Sequence, residues 1–296
     1  MYLCAGIQIG MFFPLAEWTV SGGEKTFVHT PTQYFQGFFV GLIAAGIVPA
    51  IVAGLIGYGI LGLRGHYFAI CTLGLGIAAG EIAGGIELIG AGQGMTSPPW
   101  PKGIGDTELR SEFFYYICFA LMICTFLFLR WAYQTRFGLV LNAIRDNEDK
   151  AEAMGIYTMR YKITGWVVSA FFVGIAGGLM GNMIGYIEPV ETAFAGRTFG
   201  VFMVIMAILG GKGTLWGPVI GAAAFHVFKE GFWTFFLGWQ YVALGALIVV
   251  VVVFFPEGIM GWLREKYPER FGEVIDEADR KAQVELCLLY TSPSPR

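Results

Sequence analysis

Two carboxylates, Glu81 and Glu87, interrupt an otherwise apolar stretch of the sequence at residues 66–89. A carboxylate is costly in hydrocarbon and normally faces a protein interior or a water-filled cavity. Such a group can relay protons or bind the ammonium group of a substrate. Alternatively, Glu87 reaches the membrane surface and Glu81 caps or hydrogen-bonds a neighbouring helix. The sequence leaves both interpretations open, and Glu81 is therefore a candidate residue of a transport pathway.

The cysteines and histidines form no pattern typical of a metal site. The five cysteines contain no Cys-x-x-Cys pair, and three of them lie in apolar runs, where a thiol behaves as a small hydrophobic group. The three histidines are far apart in the sequence. We therefore expect no metal site and no disulfide. The residues concerned are Cys4, Cys71, Cys118, Cys124, Cys287, His29, His66 and His226.

Residues 210–214, Gly-Gly-Lys-Gly-Thr, have a superficial likeness to a phosphate-binding loop. That loop requires Gly-Lys followed directly by Ser or Thr, between a strand and a helix. Here Gly213 interrupts the pattern, and the preceding segment has the composition of a membrane helix. We interpret these residues as a tight turn, and we expect this chain to bind no nucleotide or other cofactor itself.

The elements that would position these residues are membrane helices. Of the 296 residues, 56% are hydrophobic and only 14% are charged, against about 25% charged residues in soluble domains. A helix needs about 20 apolar residues to cross a bilayer. The seven candidate segments are residues 36–62, 66–89, 113–133, 163–186, 198–211, 217–236 and 239–255. The predicted fold is an all-α polytopic transmembrane helical bundle, in which the fifth segment is short for a complete span.

Basic residues predict the orientation of the bundle. Six Lys and Arg residues lie within 130–162, and short cytoplasmic loops are enriched in these residues. If every segment crosses, Arg64 and the C-terminal tail are also cytoplasmic, and residues 1–34, 90–112 and 187–197 face outward. The net charge of −3 gives no reason to expect nucleic-acid binding.

A charged loop, residues 134–162, separates the third and fourth segments. Its apolar residues recur at three- and seven-residue steps, and its charged residues occupy the other faces. The apolar positions are Leu141, Ile144, Ala151 and Met154. This pattern predicts a short amphipathic helix over 141–155 that ends at Gly155. Its mixed charge differs from the Lys- and Arg-rich helices that lie on lipid, and therefore favours a groove on a protein partner.

Glycines at four-residue spacing occur on two of the predicted spans. Such faces let helix backbones approach each other closely in lipid. We expect them to pack helices within one subunit rather than to form a dimerisation motif. The positions are Gly76, Gly80 and Gly84 on one span and Gly177, Gly181 and Gly185 on another.

Four stretches of the sequence carry a family resemblance. They are LRGHYFAICTLGLG at 63–76, FGLVLNAIRDNEDKAEAMGI at 137–156, GGKGTLWGPVIGA at 210–222 and FFPEGIMGWL at 254–263. Within the second, Asp149-Lys150-Ala151 followed by Gly155 is similar to the EAA-x3-G loop through which ABC importer permeases couple to their ATPase subunits. In this order, the four stretches resemble the permeases of the branched-chain amino acid family, the LivM type. The chain departs from the general loop pattern at Asp149 and Lys150, and no Leu-Pro pair follows Gly155.

The resemblance implies a permease subunit of an ATP-driven importer for branched-chain or other aliphatic amino acids, in a bacterial or archaeal plasma (inner) membrane. The subunit would perform no bond chemistry, so it would not be an enzyme. The implied partners are a homologous permease, two ATP-binding cassette subunits that bind ATP and Mg²⁺, and an extracytoplasmic substrate-binding protein. The implied ATPase-coupling residues are Leu141, Ile144, Asp149, Lys150, Ala151, Met154 and Gly155.

The outer loop at 90–99 resembles the Gly-rich segment that follows the second span in this family. Gly92 and Gly94 are therefore candidate pathway residues together with Glu81, although a connecting turn without substrate contact explains the loop equally well. Three alternative functions remain open. They are a urea or short-amide permease, a proton-coupled secondary transporter that uses Glu81, and a membrane scaffold that anchors a soluble protein.

The chain divides into four parts by composition and by this resemblance. Residues 1–35 are interpreted as an outer-face segment that is truncated, because the family usually has further spans upstream. Residues 36–263 form the transmembrane permease domain, and residues 264–286 form a cytoplasmic tail. Residues 287–296 change composition abruptly and are interpreted as non-native.

Overall fold

The computed structural model describes residues 1–12, 18–21, 24–27, 31–86, 91–101, 107–194, 200–211, 214–235, 242, 245 and 258–261. This part of the chain is mainly helical. Its longer helices are α1 (Tyr2–Phe12), α2 (Pro31–Ile60), α3 (His66–Gly85), α4 (Thr107–Gln134), α5 (Arg136–Asp146), α6 (Glu148–Ala153), α7 (Thr158–Ile184), α8 (Val201–Gly210) and α9 (Gly217–Phe235). Two antiparallel strand pairs are β1 (Trp18–Ser21) with β2 (Glu24–Phe27), and β3 (Met95–Thr96) with β4 (Tyr186–Ile187). The predicted all-α class is confirmed, because the strands form only these two short pairs within the described residues.

Four helices, α2, α3, α4 and α7, are long and apolar enough to cross a membrane. They confirm the first four predicted segments, with ends shifted by a few residues. The fifth segment forms α8, which has 10 residues and is short for a span, as predicted. The sixth forms α9. Most of the seventh, at 239–255, lies outside the described residues, as do 264–286 and 287–296.

Among the described residues of 1–196, helices α2 and α7 make the most extensive contact. A methyl group added at Gly174 of α7 would collide with the carbonyl oxygen of Ala45, and one added at Gly46 would lie 2.9 Å from the Phe171 ring. Lipid provides no hydrophobic force between helices, so backbones that approach at glycines gain their attraction from close van der Waals contact. The glycines therefore determine where these two spans cross.

Helix α1 packs against α2 and α7 instead of lying outside the bundle. Its Cys4 and Ala5 are fully buried, and a methyl group added at Gly41 of α2 would lie 2.9 Å from the Cys4 carbonyl oxygen. Helix α1 thus packs with the helices that follow it, and α2 itself begins at Pro31. The physical reason for this packing is that α1 carries no charge and presents small residues to the glycines of its neighbours. The outer-face position of residues 1–35 stays a prediction.

The predicted packing role of the spaced glycines is confirmed for part of the set. A methyl group added at Gly181 would lie 3.1 Å from Met1 Cβ, and one at Gly80 would lie 3.2 Å from Phe194 Cβ. Both glycines thus pack within this subunit. At Gly76, by contrast, an added methyl group would meet no atom of the described residues within 4 Å.

An aromatic cluster joins α2, α4 and the segment that precedes α4. Phe38 and Phe114 are fully buried in it. The Trp100 ring lies 5.6 Å from that of Tyr34 and 5.5 Å from that of Phe113, with the rings steeply inclined to each other. The Tyr34–Trp100 pair is edge-to-face, an arrangement that is favourable beyond the area it buries. The cluster therefore anchors the residues that directly follow the glycine-rich segment 91–97.

By internal contacts the chain divides into two units, Met1–Gly196 and Arg197–Arg296. Within the second unit, α8 and α9 form a helical hairpin. The Thr214 hydroxyl accepts a hydrogen bond from the N–H of Gly217 at 3.0 Å, just before α9 begins. The element before residues 210–214 is the helix α8, whereas a phosphate-binding loop follows a strand.

Candidate functional site

The loop between α4 and α7 forms two helices, α5 and α6, and the prediction of one helix over 141–155 is wrong. The break lies at Asn147, whose backbone is extended (φ −160°, ψ 108°). Its side-chain oxygen accepts a hydrogen bond from the backbone N–H of Lys150 at 3.0 Å. Asn is among the best residues for capping a helix N-terminus. A new helix therefore starts where the apolar pattern predicted a continuous one.

Gly155 ends α6, as the sequence predicted. Its φ of +83° is left-handed, a conformation that glycine adopts without strain. The N–H of Gly155 donates to the carbonyl of Glu152 at 2.9 Å, and that of Ile156 donates to Ala151 at 3.2 Å. These two bonds form a Schellman motif, which satisfies the last carbonyls of a helix. Only four residues then separate α6 from the membrane helix α7.

The apolar residues of the loop do not share one exposed face. Ile144 is 8% exposed and Ala151 is 4% exposed. Leu141 is half-buried, and a methyl group added at Gly165 of α7 would lie 3.9 Å from it. The predicted apolar face is thus corrected, because most of it turns toward the chain's own helices. The coupling role of Leu141, Ile144 and Ala151 stays a prediction.

The two most exposed large apolar side chains of the loop follow α6. Met154 is 83% exposed and Tyr157 is 72% exposed, and Gly155 between them is exposed as well. The guanidinium of Arg160 lies 5.1 Å from the centre of the Tyr157 ring, a cation–π distance. We call Met154, Gly155 and Tyr157 the loop surface. Sequence reasoning missed Tyr157, although an aromatic residue beside a helix stop is a signal that could have identified it.

Three charged residues outside the predicted set hold α6 in position. Lys162 of α7 donates to Glu148 at 2.5 Å. Arg64, in the turn between α2 and α3, donates to Asp149 at 2.8 Å, and its Nε lies 3.9 Å from Glu148 Oε2. The hydrogen bond to Asp149, helped by the negative charges of Asp149 and Glu148, raises the pKa of Arg64. These pairs confirm that the two loops lie on the same side of the bundle.

The glycine-rich segment 91–97 lies at the end of α7 that is remote from the loop surface. Helix α7 has 27 residues and is therefore about 40 Å long, which separates the two regions. Strand β3 in this segment pairs with β4, which follows α7. The Ser97 hydroxyl donates to the carbonyl of Gly181 at 3.0 Å, and its N–H donates to that of Gly185 at 2.8 Å. The segment is therefore fastened to the end of the membrane helix.

Gly94 and Gly92 differ in their surroundings. Gly94 has a φ of +77°, and an added methyl group would lie 2.5 Å from the carbonyl oxygen of Ile187. Only glycine fits there, because the backbones meet and the dihedral is left-handed. An added methyl group at Gly92 would meet no described atom within 4 Å. The tight turn thus explains why residue 94 is a glycine. A role of Gly92 or Gly94 in the transport pathway stays a prediction.

Glu81 is exposed on α3 within this chain, and Glu87 lies outside the described residues. Helix α3 contacts the turn Ala91–Gln93, so Glu81, Gly92 and Gly94 belong to the same end of the bundle. The loop surface belongs to the other end. Among the described residues, no group of three His, Cys, Asp or Glu side chains is arranged to hold a metal ion.

Comparison with known proteins gives one family. A family model described as "Branched-chain amino acid transport system / permease component" matches residues 3–252. The chain is 25% identical over 308 residues to the high-affinity branched-chain amino acid transport system permease protein LivM of Salmonella typhimurium, which covers 94% of this chain and 72% of the relative.

Two shorter similarities cover about half of the chain. The permease protein LivH of the high-affinity branched-chain amino acid transport system of Escherichia coli is 29% identical over 147 residues, 49% of this chain and 45% of LivH. The fructose import permease protein FrcC of Rhizobium meliloti is 26% identical over 136 residues, 45% of this chain and 36% of FrcC. No solved structure matches the chain.

Proposed function

The chain belongs to the permease family of branched-chain amino acid transport systems, and we propose that it is the permease subunit of an ATP-driven importer for branched-chain or other aliphatic amino acids. It is a multi-pass protein of the inner membrane. In this proposal the importer contains two separate ATPase subunits, and one of them binds the loop surface. A homologous permease and an extracytoplasmic substrate-binding protein complete the importer. The similarity to both LivM and LivH supports a paired permease.

The observation that carries the proposal is the stiff connection between the loop surface and α7. Helix α6 is capped at both ends, and the pair between Glu148 and Lys162 fastens it to α7. A movement imposed on the loop surface is therefore passed to α7, and from there to α2 through their close crossing. Rocking of packed helices about a substrate site is a common way to alternate access in transporters.

The pathway in this proposal passes the end of the bundle that holds Glu81, Gly92 and Gly94. Helix α3 is mostly exposed within this chain, which leaves its carboxylate free to face the partner permease. A carboxylate within an apolar helix is most often functional, and it can bind the ammonium group that every amino acid substrate carries. The outer glycines would expose backbone groups beside it.

Affinity purification with the ATPase subunits tests the proposed docking. Met154→Glu places a charge on the loop surface without disturbing the chain's own packing, because Met154 is 83% exposed. We expect this variant to lose the ATPase subunits. Met183→Glu is the matched control, since Met183 is 55% exposed at the far end of α7, and it should retain them. Retention by both Met154→Glu and Gly155→Asp would contradict the proposal.

Uptake by vesicles that contain the assembled subunits tests the energy source and the cargo. We expect leucine uptake to require ATP and to persist when a protonophore removes the proton gradient. Uptake without ATP that is abolished by a protonophore and by Glu81→Gln would indicate a secondary transporter instead. Uptake of urea but not leucine would indicate the short-amide alternative. Binding of the ATPase subunits without any uptake would indicate that the protein is a membrane scaffold and not a transporter.

A further inference from the structure

Among the residues that the structure describes, helix α3 has few contacts with other elements at the end near the loop surface. Its main contacts are with the turns Ala91–Gln93 and Pro189–Ala193, at the remote end of the bundle. At the near end, the ring of Phe68 meets that of Trp166 edge-on, with the ring centres 6.1 Å apart. This ring contact contains no ion pair or hydrogen bond that would hold the two helices in a fixed register. If α3 is to follow a movement of the loop, a directional contact must join them.

Arg64 supplies a directional contact. It lies in the turn that leads directly into α3, next to Gly65, whose φ is +62°. Its guanidinium donates to Asp149 at 2.8 Å and approaches Glu148 within 3.9 Å. Both carboxylates belong to the first turn of α6. A planar guanidinium presents several N–H groups in a rigid fork, so it can engage two carboxylates at once and fix their direction.

The same carboxylate of Glu148 also binds Lys162 of α7. The charged groups therefore form a continuous chain from the α2–α3 turn, through the start of α6, to α7. Two cations face two carboxylates in this chain, so its charges balance. A displacement of α6 must either carry Arg64 with it or break both contacts of the guanidinium.

We infer that Arg64 is a positioning residue that makes α3 follow α6 when an ATPase subunit moves the loop surface. Because α3 also carries Glu81, the linkage would join the ATPase-facing end of the bundle to the proposed pathway by one helix. Movement then reaches the membrane helices by two routes, through α7 and through α3. The inference rests on the proposed function, since it needs an ATPase subunit that drives the loop.

The test measures leucine transported per ATP hydrolysed by the complete importer in vesicles, with its partner permease, ATPase subunits and binding protein. Arg64→Glu turns the attraction into a repulsion. We expect it to lower this ratio by about threefold, which is the scale that an exposed ion pair supports, while the ATPase subunits stay bound. Asp149→Arg alone should lower the ratio as well. The double variant restores an ion pair with exchanged charges and should recover the ratio.

Arg145→Glu is the matched control. The side chains of Arg64 and Arg145 are 57% and 58% exposed, but Arg145 pairs with its sequence neighbour Asp146 in the same helix. This variant should keep the ratio of the wild type. An unchanged ratio in Arg64→Glu overturns the inference, and so does a lowered ratio that the double variant fails to recover.

Two further outcomes separate the linkage from folding and from the proposed function. If Arg64→Glu does not accumulate in the membrane, Arg64→Gln replaces it, because this variant removes the positive charge without adding a repulsion. A lowered ratio of leucine transported to ATP hydrolysed then supports the linkage, and an unchanged ratio overturns it. If the proposed function itself is wrong, wild-type vesicles show no ATP-dependent leucine uptake. If only the linkage is wrong, the wild type and Arg64→Glu transport leucine with the same ratio.

Discussion

The ammonium group of Lys162 lies 2.5 Å from the carboxylate of Glu148, and this pair fastens α6 to α7 beside the loop surface. The two side chains are only 21% and 23% exposed. Water and salt therefore screen their attraction less than that of fully exposed pairs. The pair is a direct link between α6 and a membrane-spanning helix, beside the hydrogen bond from the Thr158 hydroxyl to Glu152 at 2.7 Å.

Lys162→Ala should lower the free energy of unfolding by about 1 kcal/mol, because Glu148 stays largely buried without its nearest cation. Thermal unfolding of the purified protein would show this as a lower midpoint. Arg145→Ala is the control, since it removes a pair whose side chains are 58% and 69% exposed. The unfolding midpoint of Arg145→Ala should stay close to that of the wild type. Equal shifts in both variants would contradict the argument that burial makes the Lys162–Glu148 pair the stronger one.

Asn147→Ala should destabilise α6, because it removes the side-chain oxygen that caps the helix. The loss of such a cap costs about 1 kcal/mol. Hydrogen exchange of the amides of 148–153 would accelerate by about fivefold, the factor that corresponds to this free energy. Asn142→Ala, within α5, changes the same side chain at a position without a capping role. Exchange that is equally fast in both variants would show that Asn147 does not hold the helix.

Gly155→Ala tests the left-handed turn by itself. An added methyl group would meet no described atom within 4 Å, so any effect comes from the φ of +83°. We expect a destabilisation of about 1 kcal/mol. Gly74→Ala has the same open surroundings inside α3, where alanine favours the helix. Its unfolding midpoint should equal or exceed that of the wild type, and a matching loss in both variants would refute the backbone explanation.

Gly174→Ala tests the crossing of α2 and α7. The added methyl group would collide with the carbonyl oxygen of Ala45, and overpacking of this kind costs about 1–3 kcal/mol. Gly76→Ala adds the same group on α3 where no described atom lies within 4 Å. A lower unfolding midpoint is expected for the first variant alone. A normal midpoint for Gly174→Ala would mean that the helices can separate at this point without loss.

Local sequence signals predicted the secondary-structure elements better than they predicted the tertiary contacts between those elements. The stop at Gly155 was predictable because a left-handed residue after a helix is a property of the local chain. The break at Asn147 is also local, but the apolar pattern across it outweighed the capping signal. The burial of Ile144 and Ala151 was not predictable, because the same periodic face suits a partner's groove or the chain's own helices.

The sequence by itself determined that this is a membrane protein and where most of its described spans lie. Apolar length decides this, because a chain in lipid must satisfy its backbone hydrogen bonds within each helix. Only the tertiary structure decided that α1 belongs to the bundle and that Arg64 meets Asp149, 85 residues away. Such contacts depend on how helices cross, and the crossing is set by the joint fit of glycines on two helices rather than by either helix alone.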